Sequence, residues 1–309
     1  MIHRIGLIAN LDKPDVVEVL GEAHRMAQAE GIEVVVEPAI AAALGGDLRA
    51  VEPEQIADAV DVMLSFGGDG TFLRGARLVG ESSTPLLGIN MGSLGFLAEV
   101  RVEELADAIG ALRRGEYLLE KRRRVGAEIH RDGEVVFAVD ALNDVALNMG
   151  PSARAMDLEI SVDGICIGRY LADGMIVASP TGSTAYNLSA GGPIVEASMD
   201  ALVVNPICPH TLGVRPLILG PGRVVELRLH ECEHGRITGD GQVSAELASG
   251  DRIVFPREQS PCYFLRLPRR NLFQIIQEKL RWGGLPRNHL EQGGKRASDR
   301  DQSASDREN

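Results

Sequence analysis

Cysteine is sparse in this chain: Cys166, Cys208, Cys232 and Cys262 are the only four in 309 residues, and they lie far apart with no Cys-x-x-Cys pair. Such spacing reads as reduced thiols rather than a disulfide framework. No apolar stretch reaches the length of a membrane span, and residues 1–10 open a strand directly, without the regions of a signal peptide. A cytoplasmic protein is therefore expected. Positive charge is also short, with a formal net charge of -12 and a pI near 5.1. The mean field then attracts neither nucleic acid nor an anionic membrane, and any anionic ligand must be held locally. There is no Gly-x-x-x-x-Gly-Lys-Ser/Thr loop, so a triphosphate is not held by a P-loop lysine. The absence of an early Gly-x-Gly-x-x-Gly disfavours a dehydrogenase that uses a dinucleotide for redox chemistry.

What is present begins with Gly67-Gly68-Asp69-Gly70-Thr71. The apolar run Val60, Val62, Leu64, Phe66 precedes it, and Phe72, Leu73, Ala76 and Val79 follow, which reads as strand, turn, helix. Glycines let the backbone approach a bulky anion, and a helix N-terminus offers unpaired N–H groups and a positive dipole end. A fixed carboxylate beside bound phosphate repels it unless a metal or a reacting hydroxyl lies between them. Asp69 therefore points to phosphoryl transfer rather than binding alone. The structural alternative is a glycine turn with Asp69 as a helix cap.

Two domains are expected, since 44% of the residues are hydrophobic and the chain is long enough for two cores. Residues 1–116 alternate strands and helices as a Rossmann-like α/β domain with a parallel sheet. Ile5 to Ala9 and Ile32 to Val36 are strands around a helix carrying Val16, Leu20, Ala23 and Ala27 on one face, with Pro14 early and Gly31 as the stop. Further strands run into Gly67 and over Pro85 to Ile89, and a helix carries Val102, Leu105, Ile109 and Leu112. Ligands of such sheets bind beyond the carboxyl ends of the strands, where the pentapeptide falls. Residues 117–267 form a β-rich, sandwich-like domain of short alternating runs, with hairpin turns at Asp132-Gly133, Asp163-Gly164 and Asp240-Gly241. Leu158, Ile160 and Val162 alternate with Asp157, Glu159 and Ser161 as its clearest strand, and others cover Val224 to Leu229, Ile253 to Phe255 and Tyr263 to Leu267. Residues 268–283 are expected as a helix capped by Asn271, with Phe273, Ile276 and Leu280 on one side, returning to the first domain. Residues 284–309 read as a disordered tail.

A second constellation is Asp173-Gly174, an apolar strand Met175 to Ala178, and then Ser179 through Ser189, crowded with hydroxyls. Tyr186 offers a flat face to a base, and the hydroxyls offer donors and acceptors; a capped surface turn ending at Gly191-Gly192-Pro193 is the plainer reading. A third site is Asn143-Asp144, set between Ala141-Leu142 and Val145-Ala146-Leu147, whose polar groups need backbone or ligand partners. Weaker candidates are set aside. His230, Cys232 and His234 share a strand face with Glu226 and Arg228, which suits a solvated strand end better than a zinc site. His210 suits a structural role in its Pro-rich turn. The run Lys121-Arg122-Arg123-Arg124 reads as a strand with alternate residues exposed, from which Arg122 or Arg124 could reach an acidic cosubstrate.

Taken together these pieces resemble the NAD kinase family, which phosphorylates the 2′-hydroxyl of the adenosine ribose of NAD. Gly67 to Thr71, Leu94-Gly95-Phe96-Leu97, Asn143-Asp144, the stretch Asp173 to Ile194, and Pro209-His210-Thr211-Leu212 occur in the family's order over Ile5 to about Leu267. The resemblance implies that Asp69 accepts the proton of the ribose hydroxyl and that Gly70 contacts the dinucleotide. It also implies an NAD site lined by Asn143, Asp144, Asp173, Thr184, Ala185, Tyr186, Asn187, Leu188 and Ser189, with Arg154 and Gln242 as further contacts. The family's second motif often has Asn-Glu, so Asp144 is one methylene shorter. An active site between domains, and a homodimer or homotetramer, are implied as well.

The chemistry agrees with that expectation. A ribose hydroxyl is a poor nucleophile, so a carboxylate can take its proton while a divalent metal, Mg²⁺ first among candidates, neutralises the phosphates. No residue is assigned as a metal ligand. ATP is the expected donor, with another nucleoside triphosphate or polyphosphate also open. Two other classes remain at this point: a lipid kinase of the diacylglycerol or sphingosine type sharing the Gly-Gly-Asp-Gly-Thr loop, and a non-catalytic dinucleotide sensor.

Overall fold

The computed structural model describes residues 1–92, 95–150, 154–256, 259–267 and 272–280. Residues 1–268 form one compact unit and residues 269–309 a second. In the second, the expected apolar spacing does yield a helix, α7 (Leu272–Leu280). Its expected cap Asn271 and the expected tail 284–309 lie outside the described residues.

Strand and helix alternate through the first third. β1 (Arg4–Ala9), α1 (Val16–Ala29), β2 (Glu33–Val36), α2 (Pro38–Leu44), β3 (Arg49–Ala50), α3 (Ile56–Ala59), β4 (Val62–Gly67), α4 (Asp69–Val79), β5 (Leu86–Asn90), β6 (Val100–Arg101) and α5 (Leu105–Arg114) follow in order. Val16, Leu20, Ala23 and Ala27 of α1 are all buried, as their helical spacing requires. Pro14, however, precedes the helix: Asp15 adopts a left-handed conformation (φ 62°) and α1 starts only after it. The central strands pair in parallel, β2 and β4 flanking β1, and β5 beside β4. Being covered on both faces, β4 and β5 are buried at every position. One face of the sheet packs on α1 and α5 through Leu20, Leu64, Leu87 and Ile109, and the other on α3 and α4 through Ile56, Met63, Phe72 and Leu86.

The β-rich part comprises β7 (Leu118–Arg122), β8 (Val125–Arg131), β9 (Glu134–Ala141), β10 (Asp144–Asn148), β11 (Met156–Val162), β12 (Ile165–Ala172), β13 (Gly174–Ala178), α6 (Tyr186–Ser189), β14 (Leu202–Ile207), β15 (Leu217–Leu219), β16 (Val225–Glu231), β17 (Arg236–Gly239), β18 (Val243–Glu246), β19 (Arg252–Phe255) and β20 (Cys262–Arg266). Among the described residues two six-stranded sheets form, in the orders β15-β14-β13-β10-β17-β18 and β12-β11-β16-β19-β8-β9. Val145, Leu147 and Val177 of one meet Ile129, Leu158 and Leu227 of the other in a shared core, which makes the expected sandwich. Asp132, Asp163 and Asp240 each adopt φ between 51° and 53° just before a glycine, so the three Asp-Gly turns are those the sequence indicated.

One boundary differs from expectation. β7 and β20 do not join the sandwich but extend the first sheet, in the order β3-β2-β1-β4-β5-β20-β7 with β6 beside β5. β20 lies parallel to β5 and antiparallel to β7. The reason is burial: Phe264 meets the Phe72 ring edge-on at 4.7 Å between centroids, within the core on the α4 side of the sheet. A division at 116/117 therefore cuts through a sheet. No helix among the described residues is long and apolar enough to cross a membrane.

Candidate active site

β4 ends at Gly67, paired with Asn90, so the glycine turn emerges at the carboxyl edge of the parallel strands. Thr71 and Phe72 N–H groups donate to the Gly68 carbonyl, 3.1 Å each, and close the first turn of α4. Asp69, the first helical residue, is half-buried. Its carboxylate is tethered: Oδ2 accepts the Phe96 N–H at 3.0 Å, and Oδ1 accepts those of Leu97 at 3.1 Å and Ala98 at 3.3 Å. Gly95 lies against it so closely that a β-carbon there would fall 1.9 Å from Oδ1. A carboxylate has about four acceptor sites, so three donors leave about one, and two of the three are on Oδ1. The remaining acceptor capacity lies mainly on Oδ2.

Gly68, Gly70 and Thr71 line a cavity of about 790 Å³, together with the cations Lys13, Arg74 and Arg77. Glu37, itself buried, pairs with Arg74 through a 3.0 Å bond and a second, shorter one. Gln242, in the turn between β17 and β18, closes the far side by donating to the Gly70 carbonyl at 3.0 Å and accepting from Arg77 at 2.6 Å.

The Asn143-Asp144 turn is held from beneath. Ser179 N–H donates to the Asn143 carbonyl at 2.8 Å and Ser179 Oγ to that of Leu142 at 2.6 Å. Gly182 packs on the same backbone, where a β-carbon would meet the Asn143 carbonyl oxygen at 2.0 Å. Asp240 takes the N–H groups of Leu142, Asn143 and Asp144. Asn143 Oδ1 is buried with no hydrogen-bond partner among the described residues. Asp144 is 5% exposed. Burial, and after it the charge of Asp240, push its carboxyl up to about 7 against the opposing Tyr186 N–H. Burial likewise raises Asp140 to about 6, although Arg124 bonds it at 2.9 Å. The same Arg124, buried, donates to the Ala76 carbonyl at 2.8 Å and so ties α4 to the sandwich.

Residues 5–117 match the ATP-NAD kinase N-terminal domain and residues 142–267 the ATP-NAD kinase C-terminal domain. The chain belongs to the ATP-NAD kinase family. It is 40% identical to the NAD kinase of Moorella thermoacetica over 288 residues, 92% of this chain and 91% of that protein. Yeast NADH kinase, solved with NADH, superposes with a TM-score of 0.86 at 26% identity, covering 93% of this chain and 89% of that one. An NAD kinase from Archaeoglobus fulgidus, solved with ATP, gives 0.69 at 26% identity, covering 91% and 100%. The chain is an NAD kinase, a phosphotransferase, and the lipid-kinase alternative gains nothing from these likenesses.

On this NAD kinase fold, Asp69, Gly70 and Gln242 come together at the glycine turn. Asp144, next to Asn143, meets Tyr186 through the backbone N–H of the latter. The Tyr186 ring is 40% exposed, its hydroxyl donating to Asn148 Oδ1 at 3.0 Å. Burial and the charges of Asp144, Cys208 and Asp173 raise that phenol, so Asp173 shares the neighbourhood, with His210 Nε2 3.9 Å from it. Thr184, Ala185, Leu188 and Ser189 are half-buried or exposed on the same turn. Asn187 faces inward: its amide donates to the Ser183 and Pro193 carbonyls, 3.0 Å each, and accepts from Asn205. Arg154 is exposed and donates to Glu233 at 2.6 Å. Leu94 lies outside the described residues. In the basic run Lys121 is exposed whereas Arg122 and Arg124 are buried, Arg122 stacked 4.9 Å from the Phe264 ring centroid. His230 pairs with Glu159 at 3.3 Å, Cys232 is buried, and no metal-holding cluster of three or more acidic, His or Cys side chains occurs among the described residues. The long-range bonds of Asp240 to residues 142–144 and of Arg124 to Asp140 and Ala76 are the features of this region that residue order did not reveal.

Proposed function

We propose that the chain transfers the γ-phosphoryl group of ATP to the 2′-hydroxyl of the adenosine ribose of NAD, with Asp69 as proton acceptor. The observation that carries this reading is the Asp69 carboxylate, fixed by three N–H groups at the helix start with acceptor capacity left on Oδ2. The ribose hydroxyl approaches Oδ2 and gives up its proton there as its oxygen attacks phosphorus and the nucleoside diphosphate leaves. The triphosphate lies in the neighbouring cavity, where the α4 N-terminus, Lys13, Arg74 and Arg77 supply donors and positive charge. The orphaned Asn143 Oδ1, the Asp144 carboxyl, Asp173 and the turn Thr184 to Ser189 offer acceptors, hydroxyls and a ring face to the dinucleotide.

Among the described residues there is no all-protein metal cage, but one carboxylate at a phosphate site fits a magnesium ion borne mainly by phosphate and water. Asp69 is the residue that would face it. Such an ion, when bound, neutralises charge on the phosphates. Four free thiols suit a cytoplasmic setting. Ile165, Ile167 and Leu171 lie exposed on the edge strand β12, which supports a homodimer or homotetramer, testable by light scattering of the purified chain. The decisive assay follows NADP formed from NAD, ATP and magnesium. Wild-type chain that forms none under saturating substrates overturns the reading.

A further inference from the structure

The turn between β17 and β18 belongs to none of the motifs that point to kinase chemistry, yet it touches both halves of the site. Asp240 stands there with φ 51°. Its Oδ2 accepts the Leu142 N–H at 2.8 Å, and its Oδ1 accepts those of Asn143 at 2.7 Å and Asp144 at 3.2 Å. Its own N–H donates to the Asp144 carbonyl at 2.9 Å. An Asp in such a turn ordinarily bonds its own loop. Here all three donors lie between 96 and 98 residues away in sequence. Two residues on, Gln242 donates to Gly70 beside the catalytic carboxylate.

We propose that Asp240 is a positioning residue for the dinucleotide, acting through the Asn143-Asp144 turn, whose direction it fixes and beside whose carboxyl it places a negative charge. The inference rests on the kinase reading and adds to it a residue that touches no substrate. Two of the N–H groups it holds, those of Leu142 and Asn143, lie ahead of β10, which begins only at Asp144. Without an acceptor they would be left unpaired at the edge of the core, and the turn would relax away from its present face.

The charges around the pair come from several elements. Asp240 faces Arg124, Asp140 and Asp144. Asp144 faces Asp240 and Tyr186, and the Tyr186 phenol faces Asp173 and Cys208 as well. Asp140 is also near Glu81, and Cys262 of β20 lies against Arg124 and Asp140. Within this group Asp240 is the second cause, after burial, of the raised Asp144 carboxyl. Removing its charge therefore lets Asp144 ionise at lower pH. An ionised Asp144 is the better acceptor for ribose hydroxyls, so acid loss of NAD binding follows its titration.

The test is Asp240→Asn in the full chain. Asparagine tolerates the left-handed backbone and keeps one oxygen for the Asn143 and Asp144 N–H groups, but it turns an NH₂ toward Leu142 and drops the charge. The KM for NAD is expected to rise about tenfold, for one lost bond to a buried donor, while kcat and the KM for ATP stay within about threefold. The acid limb of kcat/KM for NAD moves down by about one pH unit. A purely structural role would lower thermal stability without moving that limb. An unmoved limb, or equal rises in both KM values, overturns the proposal. Hydrogen exchange on the wild-type chain gives a check that needs no variant: the Leu142, Asn143 and Asp144 amides should be protected without NAD, and exchange at open-loop rates overturns the assignment. Wild-type chain that made no NADP would sink the kinase reading instead, and NAD affinity by calorimetry would then replace KM.

Discussion

Gly95 lies against the carboxylate of Asp69, so close that a β-carbon would stand 1.9 Å from Oδ1 and 2.6 Å from Cγ. The contact is part of how the carboxylate is held, because the next three residues supply its three N–H donors.

Gly95→Ala must therefore push Asp69 off its donors or move the 96–98 segment. Turnover is expected to fall by about 10- to 100-fold, the loss typical of an angstrom-scale misplacement of a reacting group, with KM for ATP much less affected. Steady-state kinetics checks this.

Arg124→Met removes the buried guanidinium that joins Asp140 to the Ala76 carbonyl. Breaking a buried pair costs about 3–5 kcal/mol, but Asp140 keeps 36% of its side chain exposed, so a loss of about 2–3 kcal/mol is expected in urea unfolding. Adding Asp140→Asn should recover much of it, since the stranded charge is gone.

Such long-range staples were the least legible part of the sequence. The strand-turn-helix setting of Asp69, the alternation of Leu158, Ile160 and Val162, and the Asp-Gly hairpins are local patterns and read directly from residue order. The enrolment of β7 and β20 in the first sheet depends on partners distant in the chain, and no period reveals it. Asp240 looked like an ordinary hairpin residue because its acceptor role is exercised on Leu142 to Asp144, far away in sequence. Asn187 sits among ligand-type residues by position, yet its amide is spent on Ser183, Pro193 and Asn205, since α6 is a single short turn that needs internal ties.

Asp144→Asn should stabilise the protein in alkali while weakening NAD binding. The folded-state carboxyl, at about 7 against 3.8, holds its proton more tightly than the unfolded chain does. Its contribution is thus fully present below about pH 4 and lost as pH rises through about 7, where a charge must be buried. The shift caps the cost at about 4 kcal/mol, and water relaxation lowers it, so the variant should gain about 1–3 kcal/mol at pH 8 and nothing at pH 4. Thermal melts at the two pH values check the difference.

Lys13→Ala removes an exposed cation from the cavity beside α4. A charge-assisted bond to phosphate is worth about 1.5–3 kcal/mol, so the KM for ATP should rise by about 10-fold or more, with the KM for NAD nearly unchanged. The salt dependence of the ATP KM should weaken in parallel.

The assignment of Asp69 is tested most directly by Asp69→Asn, which keeps shape and much of the hydrogen bonding to residues 96–98 but cannot take a proton. Single-turnover phosphorylation of NAD should slow by on the order of 10²- to 10⁴-fold while NAD affinity changes little. A variant that still forms NADP at nearly the wild-type rate would contradict the account.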